Sequence, residues 1–117
     1  MKSGRIGTLV LALFLALATS VAAVHDCAME EPLASLDECI THHYEAGELV
    51  TEGIYVSLLA KALVAQRAAA AGHDVVAVRA LEAFIREVDA LSGELVTGSA
   101  VHLAHHAEMA IAEIETT

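Results

Sequence analysis

The sequence predicts an all-α fold: a small antiparallel up-and-down bundle of about four helices. Three observations carry that expectation. Apolar residues recur at three- and four-residue intervals in four segments of the 117-residue chain, the spacing that lines one helix face. Short connectors containing glycine separate the segments. Alanine, leucine and valine fill them, while aromatics make up 3 % and tryptophan is missing, a composition for closely packed helices. No stretch shows the period-two alternation of a half-buried strand.

The chain opens with a segment read as a targeting signal rather than as structure. "MKSGR" is basic, "IGTLVLALFLALA" is an apolar run and "TSVAA" ends in small residues. This is the pattern of a secretory signal peptide over residues 1–23, with cleavage after Ala23. The alternative is an uncleaved anchor, since the run is nearly long enough to span a bilayer. No basic stop-transfer flank follows, which favours cleavage. Cys27 follows "VHD", not the small residues that precede a lipidated cysteine.

Residues 24–32 form an acidic N-terminal segment that ends at Pro32, a residue suited to a first helical turn. The helical domain is expected over 33–117. Its first helix covers 33–46, with Leu33, Leu36, Ile40 and Tyr44 on one face. Residues 52–71 form the longest helical pattern, striped by Ile54, Leu58, Ala62 and Ala65. Gly72 is expected to end it and Asp74 to cap the next helix. That helix, 75–91, is the most clearly amphipathic: Val78, Leu81, Phe84, Ile85, Val88 and Leu91 oppose Arg79, Glu82, Arg86 and Asp89. A last helix over about 98–115 carries Leu103, Ala107, Ala110, Ile111 and Ile114.

The pentapeptide "GELVT" occurs twice, at 47–51 and 93–97. Both copies fall between helices. Gly47 and Gly93 can adopt the left-handed conformation that closes a helix. Thr51 and Thr97 can cap the next one. Val50 and Val96 are placed to staple onto Tyr55 and Val101. The residues flanking the copies scarcely match, so the repeat reads as connector chemistry used twice, not as a duplicated active loop.

Charge excludes some partners. With Lys2 and Arg5 removed by cleavage, four basic side chains face 16 acidic ones. Such an excess repels nucleic-acid phosphates and anionic lipid, so neither is an expected partner, and it favours solubility. After cleavage only Tyr44, Tyr55 and Phe84 remain as aromatics, too few for stacking platforms on bases or sugars. Cys27 and Cys39 are the only cysteines. In an exported domain they are expected to form a disulfide; metal-binding thiolates are the alternative.

"SLLAK" (57–61) and "LEAFIREVDALSGELVTGSAVHLAHHAEMAI" (81–111) resemble the FIMAH-type helical domain of secreted bacterial enzymes and cell-surface proteins. Phe84, Ile85, Val88, Leu91, Gly93, Leu95, Leu103 and Ala107 fall on its pattern, and the similarity spans about residues 36–114. These are core and turn positions. The resemblance implies a non-catalytic accessory domain without defined chemistry. The cysteine pair and the histidines lie outside that pattern.

The histidines are the one constellation with chemical promise. His102 and His106 stand four residues apart on one side of the last helix. His43, at the end of the first helix, lies within or beside its apolar face. In an up-and-down bundle His43 approaches His102 or His106, and three imidazoles can hold Zn²⁺, Cu²⁺ or Ni²⁺. Histidines on a helix flank are more often boundary residues, and neither the Glu-x-x-His pair of di-iron bundles nor His-Glu-x-x-His is present. The cluster could instead respond to pH between 5 and 7. No nucleophile elbow or glycine-rich phosphate loop appears, and the carboxylates fall on polar faces. The reading is therefore not an enzyme but an exported accessory or interaction module, secreted or at the cell envelope. It is expected to need no cofactor and to meet a protein partner or a second copy of itself. The alternative is a small exported metal-binding or pH-responsive protein.

Overall fold

A computed structural model describes Cys27, residues 30–94 and residues 96–117. The expected signal peptide over 1–23 lies outside the described residues, as do 24–26, 28, 29 and Leu95. Among the described residues there are four helices: α1 Leu36–Glu45, α2 Glu52–Ala70, α3 Asp74–Leu91 and α4 Ala100–Glu115. Each packs on its neighbours in sequence, and α4 returns to meet α1. This closes the all-α up-and-down bundle that the periodicity predicts.

The stripes become the core. Leu36 and Ile40 from α1 meet Leu58, Ala62 and Ala65 from α2, Leu81, Phe84 and Val88 from α3, and Leu103, Ala107 and Ala110 from α4, all buried. Alanines at the inward positions of α2 and α4 let the helices approach closely, so a chain with few aromatics still fills its interior. Leu33, Tyr44, Val78, Ile85, Leu91 and Ile111 pack half-buried around it. On the α2–α3 flank Glu87 accepts from Lys61 Nζ at 2.9 Å and from Ser57 Oγ at 2.9 Å.

Helix starts depart from the sequence expectation in three places. α1 begins at Leu36 because residues 32–35 form turns whose polar groups are taken by other elements. The Leu33 N–H donates to Glu113 Oε2 at 3.2 Å, and Gln66 Nε2 donates to the Leu33 carbonyl at 2.9 Å. Asp74 is the first residue of α3, and His73 takes the cap position; in the first turn the Asp74 carboxylate still meets the positive end of the helix dipole. α4 starts at Ala100 behind Ser99, not behind Thr97.

The α1–α2 and α3–α4 connectors, the two "GELVT" copies, lie side by side at one end of the bundle. Leu49 and Val96 form an antiparallel bridge, and the Thr97 N–H donates to the Glu48 carbonyl at 2.8 Å. Gly47 and Gly93 do take positive φ, 81° and 92°. Thr51 caps α2, its Oγ1 accepting from the Ile54 N–H at 3.2 Å. The stapling pattern is different from that expected. Leu49 and Val96 are buried, whereas Val50 and Val101 are 54 % and 85 % exposed. Pairing of the connectors turns Leu49 and Val96 inward, leaving Val50 outside.

Candidate functional site

The chemically distinctive side chains gather where α1 meets α4. Cys39 and His43 are four residues apart on α1 and project from one face. Cys27 is joined to Cys39 by a disulfide, with Cα atoms 5.4 Å apart. His102, in the first turn of α4, faces them, its ring centroid 5.2 Å from that of His43. Cys27 Sγ, Cys39 Sγ and one nitrogen each of His43 and His102 lie within 4.8 Å of one another. Cys39 is buried, His43 is 9 % exposed, and Cys27 and His102 are half-buried. The group thus sits at the boundary between the core and the surface.

Hydrogen bonding fixes how His43 presents its ring. Its Nδ1 lies 3.0 Å from Glu48 Oε1. An ionised carboxylate only accepts, so Nδ1 carries the proton and donates. Nε2 of the neutral ring then keeps its lone pair, and it lies 3.8 Å from Cys27 Sγ. Glu48 is held in turn by the paired connectors. Its carbonyl accepts from Thr97, and its carboxylate lies against Gly98, where a Cβ would meet Glu48 Oε2 at 2.7 Å. Gly98 has φ +77°. The two "GELVT" segments therefore meet beside the site, and one of them supplies the carboxylate that orients its histidine.

His106 is placed apart from this group. Its Nε2 lies 2.8 Å from the Pro32 carbonyl and 3.2 Å from Ser35 Oγ. Since a carbonyl only accepts, Nε2 is the protonated nitrogen. Nδ1 is buried without a hydrogen-bond partner. Burial lowers the pKa of His106 below the ordinary 6.5, opposed by the bond to Pro32 and assisted by the nearby imidazoles of His102, His43 and His105. The ring pins the segment ahead of α1 onto α4. Of the three histidines singled out in the sequence, the fold brings His43 and His102 together, while the His106 ring lies 6.5 Å from that of His102.

Sequence reasoning did not join the cysteines to the histidines, nor find Glu48. The signal for the first was available: Cys39 and His43 have the i, i+4 spacing of ligands sharing a helix face. Glu48 carries no such signal, because its place depends on two connectors far apart in sequence. Elsewhere, Ser57 and Lys61 also stand four residues apart, with Lys61 Nζ 3.0 Å from Ser57 Oγ. The same ammonium lies 2.9 Å from Glu87 Oε1, which also accepts from the serine, so the three side chains form one small polar cluster across α2 and α3. An open groove of about 540 Å³, lined by Leu33, Gln66, Ala69 and Ile114 among others, runs across the opposite end of the bundle. Among the described residues no helix is long and apolar enough to cross a membrane. No family model, curated protein or solved structure matches the chain.

Proposed function

We propose that the chain is an exported, non-catalytic helical module that works by laying a helix face against another protein. The observation that carries this reading is the outer face of α2. Val56 and Val64 lie two turns apart there, 54 % and 47 % exposed, with exposed Ala60 between them. Such a stripe on an otherwise acidic surface suits helix-on-helix docking. The resemblance of residues 36–114 to the FIMAH-type accessory domain supports the same role. The Cys27–Cys39 disulfide is compatible with an oxidising compartment, and the N-terminal signal pattern supports export, to the cell envelope or beyond it.

A second copy of the chain is the first partner to test. Native mass spectrometry of the exported protein reads three things at once: a mass beginning at Val24, the loss of two hydrogens at the disulfide, and any dimer. Paired Val56→Asp and Val64→Asp substitutions are expected to abolish association without lowering the melting temperature, and added salt to strengthen the wild-type dimer by screening its negative charge. A wild-type protein that is monomeric at all concentrations and salt levels would remove self-docking. A product retaining residues 1–23 would remove cleavage.

A further inference from the structure

We propose that Cys27, Cys39, His43 and His102 form a redox-gated metal centre: a disulfide when oxidised, and a tetrahedral Cys2His2 site for a zinc-class ion when reduced. This is independent of the docking role proposed above. It also differs from an imidazole-only site, because His106 is engaged with Pro32.

Three features point to it. The donor set is chemically coherent, since two thiolates and two imidazoles are a complete ligand set for zinc. The donor atoms are already close. A tetrahedral zinc ion with its usual bond lengths separates its ligand atoms by roughly 3.3–3.8 Å; Nε2 of His43 and Sγ of Cys27 stand 3.8 Å apart, and all four donors fall within 4.8 Å. The supporting shell is also built. Glu48 accepts a 3.0 Å hydrogen bond from the Nδ1–H of His43, which leaves the Nε2 lone pair on the side of the sulfurs. A carboxylate behind a ligating imidazole is the usual second layer of a zinc site, fixing its tautomer and raising its basicity. A disulfide needs no such arrangement.

The chemistry balances with a thiol or phosphine reductant. A dithiol gives two electrons and two protons to the Cys27–Cys39 bond and is itself oxidised to a disulfide; a phosphine gives the two electrons and becomes its oxide, with one water supplying the oxygen and the two thiol protons. The two thiols then lose their protons as the ion binds, so loading releases two protons and forms two metal–sulfur bonds. Disulfide sulfurs are poor donors, and the oxidised protein keeps only two imidazoles in the site. Metal loading therefore requires the dithiol, formed before oxidation or regenerated by reduction.

The test is a titration of the purified chain with Co²⁺, followed by displacement with Zn²⁺, under anaerobic conditions with and without a phosphine reductant. The reduced protein is expected to bind one Co²⁺ with the intense visible bands of a tetrahedral thiolate site, and the oxidised protein is expected to show none. Glu48→Gln should weaken binding about 10- to 100-fold, the usual effect of losing a ligand's supporting partner. His43→Ala and His102→Ala should each weaken it further than that. Should the reduced chain lose helical circular dichroism, zinc is expected to restore it. The proposal is overturned if the reduced wild type gives no such bands and is not refolded by zinc. It is overturned equally if both histidine variants match the wild type, since two thiolates alone would then be chelating. Equal binding by the oxidised protein would overturn the gate.

Discussion

His106 is a fully buried polar side chain whose two nitrogens face different fates. Nε2–H is satisfied by the Pro32 carbonyl at 2.8 Å, while Nδ1 has no partner in the interior. Protonating Nδ1 would bury a charge and a donor without an acceptor, which is why the pKa is lowered. The folded state therefore resists a proton that the unfolded chain accepts near pH 6.5. Linkage gives the sign: this contribution to stability is whole above that value and falls away as pH drops below it, down to the lowered folded pKa. Melting temperatures measured between pH 7.5 and 5 should fall more steeply for the wild type than for His106→Gln, whose amide can still donate to Pro32. Parallel curves would show that the ring is not resisting protonation. The disulfide acts at the same scale. It closes a loop with a sequence separation of 12, worth about 3 kcal/mol through restriction of the unfolded chain. Paired Cys27→Ser and Cys39→Ser changes should lower the urea-unfolding free energy by about that amount; a loss under about 1 kcal/mol would mean that the unfolded chain gains little freedom when the loop is opened.

At the scale of the elements, one pentapeptide does different work in its two places. Thr51 accepts the Ile54 N–H and starts α2. Thr97 has its own N–H bound to the Glu48 carbonyl, and the chain then passes through Gly98 to Ser99 before α4 begins. Thr51→Ala should thus destabilise by about 1 kcal/mol, the usual worth of a side-chain cap, and Thr97→Ala by less than about 0.5 kcal/mol. Chemical denaturation of the two variants checks this, and equal losses would mean that the caps are equivalent after all. The contrast also marks what sequence could and could not reveal. α2 and α3 were legible nearly to the residue, because their stripes recur for five turns and glycine or a capping threonine bounds them. The identity of the α4 cap was not, because it follows from pairing between connectors almost fifty positions apart. The site divides in the same way. His43 and His102 were legible as neighbours from topology. Cys39 was legible beside His43 from their i, i+4 spacing, whereas Glu48 depended on the pairing of the two connectors, which no local period encodes.

Across the whole molecule, α1 is the element held by the most specific and least extensive contacts. α2, α3 and α4 share Leu58, Leu81, Phe84, Val88 and Leu103 in one apolar interior. α1 is the shortest helix, packing mainly on α2 and more slightly on α4. Much of its attachment runs through discrete polar and ring contacts. Tyr44 stacks on Tyr55 at 4.2 Å, Thr41 meets the Tyr55 hydroxyl at 3.0 Å, and Gln66 donates to Leu33 and Asp37. His106 adds its bond to Pro32. Three of these anchor points, Pro32, Leu33 and Asp37, lie inside the loop that the disulfide closes, so the bond prepares them for their partners. Reduction frees that loop, and the cost falls first on α1. Amide hydrogen exchange should then accelerate across Leu36–Glu45 by about 100-fold, the equivalent of roughly 3 kcal/mol, while the centre of α3 around Leu81 and Phe84 changes far less. Equal acceleration in all four helices would instead make the bundle one cooperative unit. No acceleration in α1 would show that its side-chain anchors suffice without the bond.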